Sequence, residues 1–347
     1  MTTPANLLVG CFTHPHGDGR GVVSVTLDPA HGSTVQGELE LDDPAYIILD
    51  PTRPLGYALA ERDPSALSTL DLSDPAAPVT LATVPTEGVG ACHLGFDPTG
   101  RFVVVAHYGV GSVSVHPIGD DGAAGAPVSV WNLDPADASG AVPDRQEAPH
   151  AHMASAVDDE MYVPDLGADL IRRLRVGADG ALEVLEPIRL PAGVGPRHFV
   201  IIDDLLIVAC ELAAEAWVAR RDPAAPGGWR EVQRVPATST DVRPAYPSAI
   251  TADGAAAVIM ATRGPNTFTR YAVRSDADLP LTPVSETSCA GDWPRDLTVH
   301  GDLVLSANQN SHTVTVFERD GEGFTLAEAI PCPSPGCLVF PNVRPGA

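Results

Sequence analysis

Residues 149–176 read PHAHMASAVDDEMYVPDLGADLIRRLRV. Two histidines one residue apart begin the stretch, and a short apolar run, a polar turn around Asp165 and a second apolar run follow. Short apolar runs bounded by Gly, Pro and Asp are typical of β-strands joined by turns. The same order of polar start, strand, turn and strand recurs along the chain, so this segment is one copy of a repeat.

Seven copies of the strand–turn–strand pattern can be aligned. Their starts lie 45 to 58 residues apart, close to the period of a four-stranded propeller blade. A further short strand precedes most copies, and a weaker fourth strand lies in the variable segments between them. The copies are residues 7–27, 56–72, 103–118, 161–176, 206–221, 257–273 and 303–319.

The repeat predicts an all-β fold, a seven-bladed β-propeller of four-stranded antiparallel blades forming a single domain over residues 1–347. Two strand-like segments, 324–330 and 336–340, follow the seventh copy. We expect one of them to pair with the first blade, because ring closure removes exposed strand edges. Seven similar units favour this fold over a pair of β-sandwiches. Residues 134–148, rich in Pro, Ala and Asp, are predicted to be a long loop between blades.

Composition limits the partners and the compartment. The formal net charge is -24, and all 21 basic residues are arginine, so nucleic acid and anionic membranes are disfavoured as partners. No apolar run approaches the ~20 residues of a membrane span, and the N-terminus lacks the charged and apolar regions of a secretory leader. The six cysteines show no CxxC pair or zinc spacing. We therefore expect a cytoplasmic protein with reduced thiols.

Propeller topology predicts where the polar residues meet. The first strand of a blade lines the channel and runs antiparallel to the second, so the start of the first and the end of the second share one rim. Histidines, arginines and carboxylates occupy those places. At first-strand starts the polar residues are His93, His150, His152, Arg197, His198, Arg295 and Asp296; at second-strand ends they are His107, Tyr108, Asp165, Glu211, Arg263, Asn308 and Gln309.

Three of these residues, Arg197, Arg263 and Arg295, would repel one another at one channel mouth, and they indicate an anionic ligand. The alternative is that Glu211 and Asp296 are their structural counterions. A histidine at a strand start is often structural, and Asp165 also suits a turn. The HxH spacing would suit a metal as well, but local spacing supplies no third ligand.

At these residues the chain resembles the lactonase family of seven-bladed β-propellers, of the 6-phosphogluconolactonase type and related to carboxymuconate-lactonising enzymes. The resemblance covers nearly the whole chain in order. It departs at His107 and Cys210, where the family usually has asparagine. The matching motifs are PHAH at 149–152, YVPDLG at 162–167, GPRHF at 195–199, Glu211-Leu212, WPRD at 293–296 and ANQ at 307–309.

The resemblance implies a site at the channel mouth that uses no metal or other cofactor. It implies that the site contains His150 or His152, Arg197, Glu211, and Arg263 or Arg295. With the register argument, we assign catalysis to four residues and substrate binding to seven more. The catalytic set is His150, His152, Arg197 and Glu211; the binding set is His93, Asp165, His198, Arg263, Arg295, Asn308 and Gln309.

The function implied is hydrolysis of a small anionic sugar lactone, 6-phosphoglucono-δ-lactone to 6-phosphogluconate, by a carboxylic ester hydrolase. A base must activate water, and donors must stabilise the oxyanion. The sequence leaves the base open among His150, His152 and Glu211, and it does not indicate the oligomeric state. One alternative is a lactonising or isomerising enzyme acting on a carboxylated muconate. Another is a non-enzymatic binding platform, since propellers host many functions.

Overall fold

A computed structural model describes residues 4–341, and its regular secondary structure is almost entirely β-strand. Its helical segments are two single 3-10 turns, Pro135–Asp137 and Pro226–Gly228. Within residues 4–341 no helix is long and apolar enough to cross a membrane. The strands form seven antiparallel sheets; six are built from consecutive strands, and the seventh combines the first three strands of the chain with the last.

The strands follow one another in the order expected for blades. Blades 1 to 4 contain β1 (Ala5–Cys11), β2 (Gly21–Leu27), β3 (Thr34–Glu40); β4 (Pro44–Leu49), β5 (Leu55–Ala60), β6 (Ala66–Asp71), β7 (Val79–Pro85); β8 (Ala91–Phe96), β9 (Phe102–His107), β10 (Ser112–Pro117), β11 (Ser129–Asn132); β12 (Ser155–Val157), β13 (Glu160–Asp165), β14 (Leu170–Val176), β15 (Leu182–Val184) and β16 (Ile188–Arg189). Blades 5 to 7 contain β17 (Pro196–Ile202), β18 (Leu205–Cys210), β19 (Glu215–Arg221), β20 (Trp229–Pro236); β21 (Tyr246–Ala252), β22 (Ala257–Arg263), β23 (Thr267–Val273), β24 (Leu281–Ser288); β25 (Pro294–His300), β26 (Leu303–Asn308), β27 (Thr313–Asp320) and β28 (Gly323–Pro331), and the last strand is β29 (Pro335–Val339).

The ring is closed by the C-terminal strand. β29 pairs antiparallel with β1, with Val9 opposite Leu338 and Gly10 opposite Cys337. It is thereby the innermost strand of blade 1, whereas β28 is the outer strand of blade 7. Of the two terminal segments expected to close the ring, residues 336–340 therefore do so.

The prediction of a seven-bladed β-propeller with four-stranded antiparallel blades closed by a terminal strand is confirmed. One local detail differs in blade 4, where the outer edge is divided between β15 and β16, which both pair with β14. That the chain is a single domain over residues 1–347 stays a prediction.

The hydrophobic core is distributed between the blades. Buried side chains form seven clusters, and each cluster joins two blades that are neighbours in the ring. One cluster packs Leu7 and Val9 of blade 1 against Leu303 and Leu305 of blade 7. Central strands such as β5 and β9 are buried at every residue because neighbouring blades cover both of their faces, and their sequences are therefore short continuous apolar runs.

The predicted loop at residues 134–148 packs back onto blade 4. Ser139 N donates to Gly167 O over 2.8 Å, and the chain at Ala148 passes directly over Gly167. A Cβ at position 167 would overlap the Ala148 carbonyl oxygen, so only glycine permits this approach. The loop therefore ends against the turn that follows β13 and delivers His150 and His152 to the start of blade 4.

Candidate active site at the channel mouth

A β-bulge shapes the start of the innermost strand in six blades. In blade 5, Pro196 pairs with Cys210 and His198 with Ala209, so Arg197 has no partner across the ladder. Regular alternation would place successive side chains on opposite faces, but a bulge re-aims them. Arg197 and His198 consequently lie in one cluster, with Arg197 Nη1 3.4 Å from His198 Nε2.

The end of the second strand supplies the other position at the mouth. It is the residue that directly follows the partner of the last inner-strand residue before the bulge; Glu211, for example, follows Cys210, which pairs with Pro196. The same position recurs around the ring and is polar in five blades. It is occupied by Glu61, Tyr108, Glu211, Arg263 and Gln309.

Glu211 is the centre of an ion-pair cluster. Its Oε1 accepts from Arg145 Nη2 at 2.5 Å and its Oε2 from Arg263 Nη2 at 2.6 Å. Arg197 Nε lies 3.3 Å from Oε2, but its N–H is not directed at a hydrogen-bond acceptor among the described residues. One buried carboxylate thus meets three guanidinium groups, and the guanidinium of Arg197 keeps bonding capacity for a ligand.

Aromatic rings support two of these guanidiniums. Arg263 Cζ lies 5.3 Å from the ring centre of Trp293 and 5.9 Å from that of Tyr246. Arg145 Cζ lies 5.7 Å from the same Tyr246 ring. Contacts of a cation with an aromatic ring are attractive at these distances, so the rings hold the positive charges in place.

The cluster sets its own charge states. Burial alone would raise the pKa of Glu211, but the positive charges of Arg263 and Arg197 outweigh it and hold that pKa well below its usual range. Burial, and then the charge of Arg263, lower the pKa of Arg197 to about 9. Both groups are therefore charged at neutral pH.

Three histidines from three blades meet beside Arg197. The ring centres of His93 and His198 are 5.2 Å apart, and those of His152 and His198 are 5.3 Å apart. Burial, and then the charge of Arg197, lower the pKa of His93 to about 3 and the pKa values of His152 and His198 well below their usual range. All three imidazoles are consequently neutral at neutral pH, the form in which a histidine accepts a proton.

The two histidines of the PHAH motif differ in their surroundings. His150 stacks on Tyr108 with ring centres 4.4 Å apart. Its Nδ1 is 2.8 Å from the Tyr108 carbonyl oxygen and its Nε2 is 3.0 Å from Glu147 Oε1, so both nitrogens face acceptors. Nδ1 of His152 is 3.8 Å from Cys92 Sγ, and its Nε2 makes no hydrogen bond among the residues described. His152 is therefore the better placed of the two to accept a proton.

Arg295 lies at the same mouth but has its own counterion. Its Nη2 donates to Glu61 Oε2 over 2.9 Å, and its Cζ stands 4.4 Å from the Phe12 ring centre. Asp296 accepts from Leu338 N over 2.8 Å, and burial raises the pKa of its carboxyl to about 6. On this side of the mouth the charge of Arg295 is balanced by Glu61. On the other side three arginines share the single carboxylate of Glu211.

Two of the predicted binding residues bond within their own blades. Asp165 is fully buried and accepts from His150 N and Arg172 Nη2, each at 2.8 Å. Asn308 donates from Nδ2 to Thr315 Oγ1 over 2.9 Å. Both residues occupy the paired position of the second strand rather than the one after it, and a one-residue step reverses the face of a strand.

The remaining predicted residue, Gln309, follows Asn308 and is correctly placed in register. Its backbone N–H donates to Trp293 O over 3.1 Å. Its Oε1 is buried and has no hydrogen-bond partner within residues 4–341. A buried acceptor without a partner is costly, so Gln309 is ready to accept from a ligand.

Sequence reasoning missed Arg145 and Glu61. Glu61 stands after Ala60, which pairs with Pro44, and so occupies the same register position as Glu211; the alignment of copies contained that signal. Arg145 lies in the loop between β11 and β12, and no strand periodicity pointed to it. Loop residues are brought to a site by tertiary packing alone.

No three His, Cys, Asp or Glu side chains in the described part of the chain are grouped to hold a metal ion. That the site uses no metal stays a prediction. The chemistry that the described side chains offer is a neutral imidazole beside a cluster of guanidinium groups, which suits proton transfer next to a bound anion or a polarised carbonyl.

Comparison with known proteins agrees with this architecture. The family model "Lactonase, 7-bladed beta-propeller" matches residues 6–340. A 6-phosphogluconolactonase of Bacillus subtilis strain 168 is 28% identical over 345 residues, covering 94% of this chain and 96% of the relative.

Solved structures show the same fold. A periplasmic gluconolactonase of Pseudomonas aeruginosa superposes with a TM-score of 0.88 at 24% identity, covering 97% of this chain and 99% of that one. A putative 6-phosphogluconolactonase of Bacteroides fragilis gives a TM-score of 0.86 at 24% identity, with coverage of 97% and 98%. The match of the family model to almost the whole chain shows that the protein belongs to the lactonase family of seven-bladed β-propellers.

Proposed function

We propose that the protein hydrolyses a sugar lactone at the channel mouth, and that its substrate is 6-phosphoglucono-δ-lactone. The observation that carries the proposal is the cluster of Arg145, Arg197 and Arg263 around one carboxylate, Glu211. It leaves an excess of two positive charges in a protein of net charge -24. A phosphate monoester, with about -1.5 to -2 charge at pH 7, matches that excess.

The chemistry assigned to the site is ring-ester hydrolysis. Neutral His152 takes a proton from water as the water oxygen adds to the lactone carbonyl carbon. Arg197 stabilises the negative charge that forms on the carbonyl oxygen. When the intermediate collapses, the bond between the carbonyl carbon and the ring oxygen breaks, and protonated His152 returns its proton to that oxygen. The product is a single open-chain acid, in which the former ring oxygen has become a hydroxyl group.

The other residues hold the substrate and the charges. Glu211 keeps the guanidiniums together, and because its two oxygens accept from Arg145 and Arg263, neither is free to act as the base. Gln309 Oε1, without a partner in the described chain, is available to accept from a sugar hydroxyl. Both nitrogens of His150 face acceptors, so it orients Tyr108 and the loop rather than moving a proton.

The relatives support a phosphorylated substrate. The Bacillus subtilis relative is a 6-phosphogluconolactonase and spans nearly the same length. The same activity here would place the enzyme in the pentose phosphate pathway and in the cytoplasm. The compartment is part of the proposal, since the Pseudomonas aeruginosa neighbour is periplasmic.

The test is hydrolysis of freshly generated 6-phosphoglucono-δ-lactone, corrected for the spontaneous rate. We expect a large excess over background, and a loss of orders of magnitude in kcat/KM for Arg197→Ala. Glu211 keeps Arg145 and Arg263 in that variant, so the fold is retained and is checked by its melting temperature. A matched control is Arg234→Ala, because Arg234 pairs with Glu215 at 2.7 Å on the outer part of blade 5.

Three negative results would each reject a different part of the proposal. No excess in the wild-type protein would reject this substrate, and activity on a carboxylated muconate would then indicate the alternative enzyme, whose carboxylates the same arginines would hold. A wild-type rate in Arg197→Ala would reject the assignment of Arg197. Absence of both activities would leave a binding role.

A further inference from the structure

The loop between β11 and β12 contributes one side chain to the mouth, Arg145. Its Nη2 donates to Glu211 Oε1 over 2.5 Å and lies 3.3 Å from the Tyr108 hydroxyl oxygen. These two partners belong to blades 5 and 3, so Arg145 spans the opening in front of blade 4. Its guanidinium is therefore part of the site although its backbone belongs to a loop.

The position of Arg145 is built by the loop itself. The next residue, Gln146, is fully buried and donates from Nε2 to Leu166 O over 2.9 Å. Gln146 Oε1 accepts from Val142 N over 3.1 Å, and Gly140 N donates to Gln146 O over 3.0 Å. With Gln146 anchored in this way, the loop presents Arg145 to the mouth as a fixed group.

The three guanidiniums differ in access to solvent. The side chains of Arg197 and Arg263 are 4% and 8% exposed, whereas that of Arg145 is 32% exposed. Arg197 lies in the buried part of the channel mouth, here called the floor, beside His152 and His198, and a lactone carbonyl would have to bind there to react. Arg145 lies at the solvent-exposed edge of the mouth, here called the lip, where a strongly hydrated phosphate can be bound without losing all of its water.

We propose that Arg145 is the specificity-determining residue that selects lactones with a phosphate group. This inference rests on the proposed lactonase function and extends it by assigning the two ends of the substrate to two different parts of the site. The carbonyl of the lactone meets Arg197 and His152 at the floor, and the phosphate meets Arg145 at the lip. A guanidinium suits this task because its fork of N–H donors matches phosphate oxygens.

The experiment compares two substrates, glucono-δ-lactone and its 6-phosphate, in the wild-type protein and in Arg145→Gln. The ratio of kcat/KM for the phosphorylated to the unphosphorylated lactone is expected to fall about ten- to hundredfold, as for loss of a charge-assisted hydrogen bond. Inorganic phosphate should inhibit the wild-type enzyme and should inhibit Arg145→Gln about tenfold more weakly or worse. Arg234→Gln, which removes another arginine from an Arg–Glu pair, should leave both the ratio and the inhibition unchanged.

The outcomes distinguish a phosphate-binding role of Arg145 from a positioning role. Equal losses on both lactones would overturn the proposal and would make Arg145 a positioning residue that acts through Glu211. Unchanged kcat/KM on both lactones would also overturn the proposal and would place the phosphate elsewhere. If the wild-type protein hydrolyses neither lactone, the proposed function fails, and calorimetric titration with inorganic phosphate still tests Arg145: loss of binding in Arg145→Gln supports an anion site at the lip, and equal binding refutes it.

Discussion

Replacement of Glu211 by glutamine tests the central feature of the site, one buried carboxylate that neutralises three arginines. The change removes the negative charge but keeps the shape of the side chain, and it leaves Arg145, Arg197 and Arg263 facing one another. Removing one partner of a buried ion pair costs about 3–5 kcal/mol. We expect the free energy of unfolding at neutral pH to fall by that amount.

This loss converts into a measurable shift in melting temperature. With an unfolding entropy of about 2.1 cal/mol/K per residue and 347 residues, a change of 3–5 kcal/mol lowers the melting temperature by about 4–7 °C. Differential scanning calorimetry at neutral pH measures it. Sulfate should raise the melting temperature of the variant more than that of the wild type, because the variant has three uncompensated guanidiniums.

The pH dependence of the difference has a defined sign. The pKa of Glu211 in the folded protein lies below its usual range, and the unfolded value is about 4.3. The stabilisation from its charge is therefore fully present above that unfolded value and is lost as the pH falls through the folded pKa. Melting temperatures of the wild type and of Glu211→Gln should converge only in strong acid.

A matched control gives the result its meaning. Glu215 pairs with Arg234 at 2.7 Å, but the arginine side chain is 43% exposed, and such surface pairs contribute about 0–1 kcal/mol. Glu215→Gln should therefore shift the melting temperature by no more than about 1.4 °C. If Glu211→Gln loses no more than this control at neutral pH, the reasoning about the cluster is refuted.

Two further predictions follow from the site and from the ring closure. Because the pKa of His152 lies well below its usual range, kcat/KM for glucono-δ-lactone, which has no titrating phosphate, should stay level as the pH falls from neutral through about 6.5, the ordinary pKa of histidine; an acid limb centred there would contradict the assignment of His152. Cys11 Sγ and Cys332 Sγ lie 3.5 Å apart where the two ends of the chain meet, and both thiols are buried in the folded protein, so refolding in the presence of oxidised glutathione should convert them to a disulfide, release two molecules of reduced glutathione and raise the melting temperature. Cys332→Ser should abolish that rise, and an unchanged thiol titre in the oxidised wild-type protein would contradict the prediction.

The repeat in the sequence was sufficient for the fold. Apolar runs bounded by Gly, Pro and Asp returned seven times at nearly constant spacing, and each run corresponds to a strand. Such runs are read locally, because alternation and turn residues act over a few positions. The closing strand was also foreseen as one of two segments, and pairing with β1 selected residues 336–340.

The site was foreseen in part, for a reason that lies in the register. Strand ends indicated Arg197, Glu211 and Arg263, which the structure brings into one cluster. The same reasoning included Asp165 and Asn308, whose side chains bond within their blades because each stands one residue before the position that faces the mouth. A strand end located to within a residue cannot decide the face of a side chain.

The sequence by itself determined the number of blades, the order of the strands and the chemical character of the mouth, since these depend on local pattern and composition. Only the tertiary structure decided which polar groups meet. Bulges turn Arg197 toward Glu211, a buried glutamine fixes the loop that carries Arg145, and burial beside Arg197 keeps His152 neutral. Each of these depends on groups far apart in the chain, and a contact between distant residues exists only once the ring has closed.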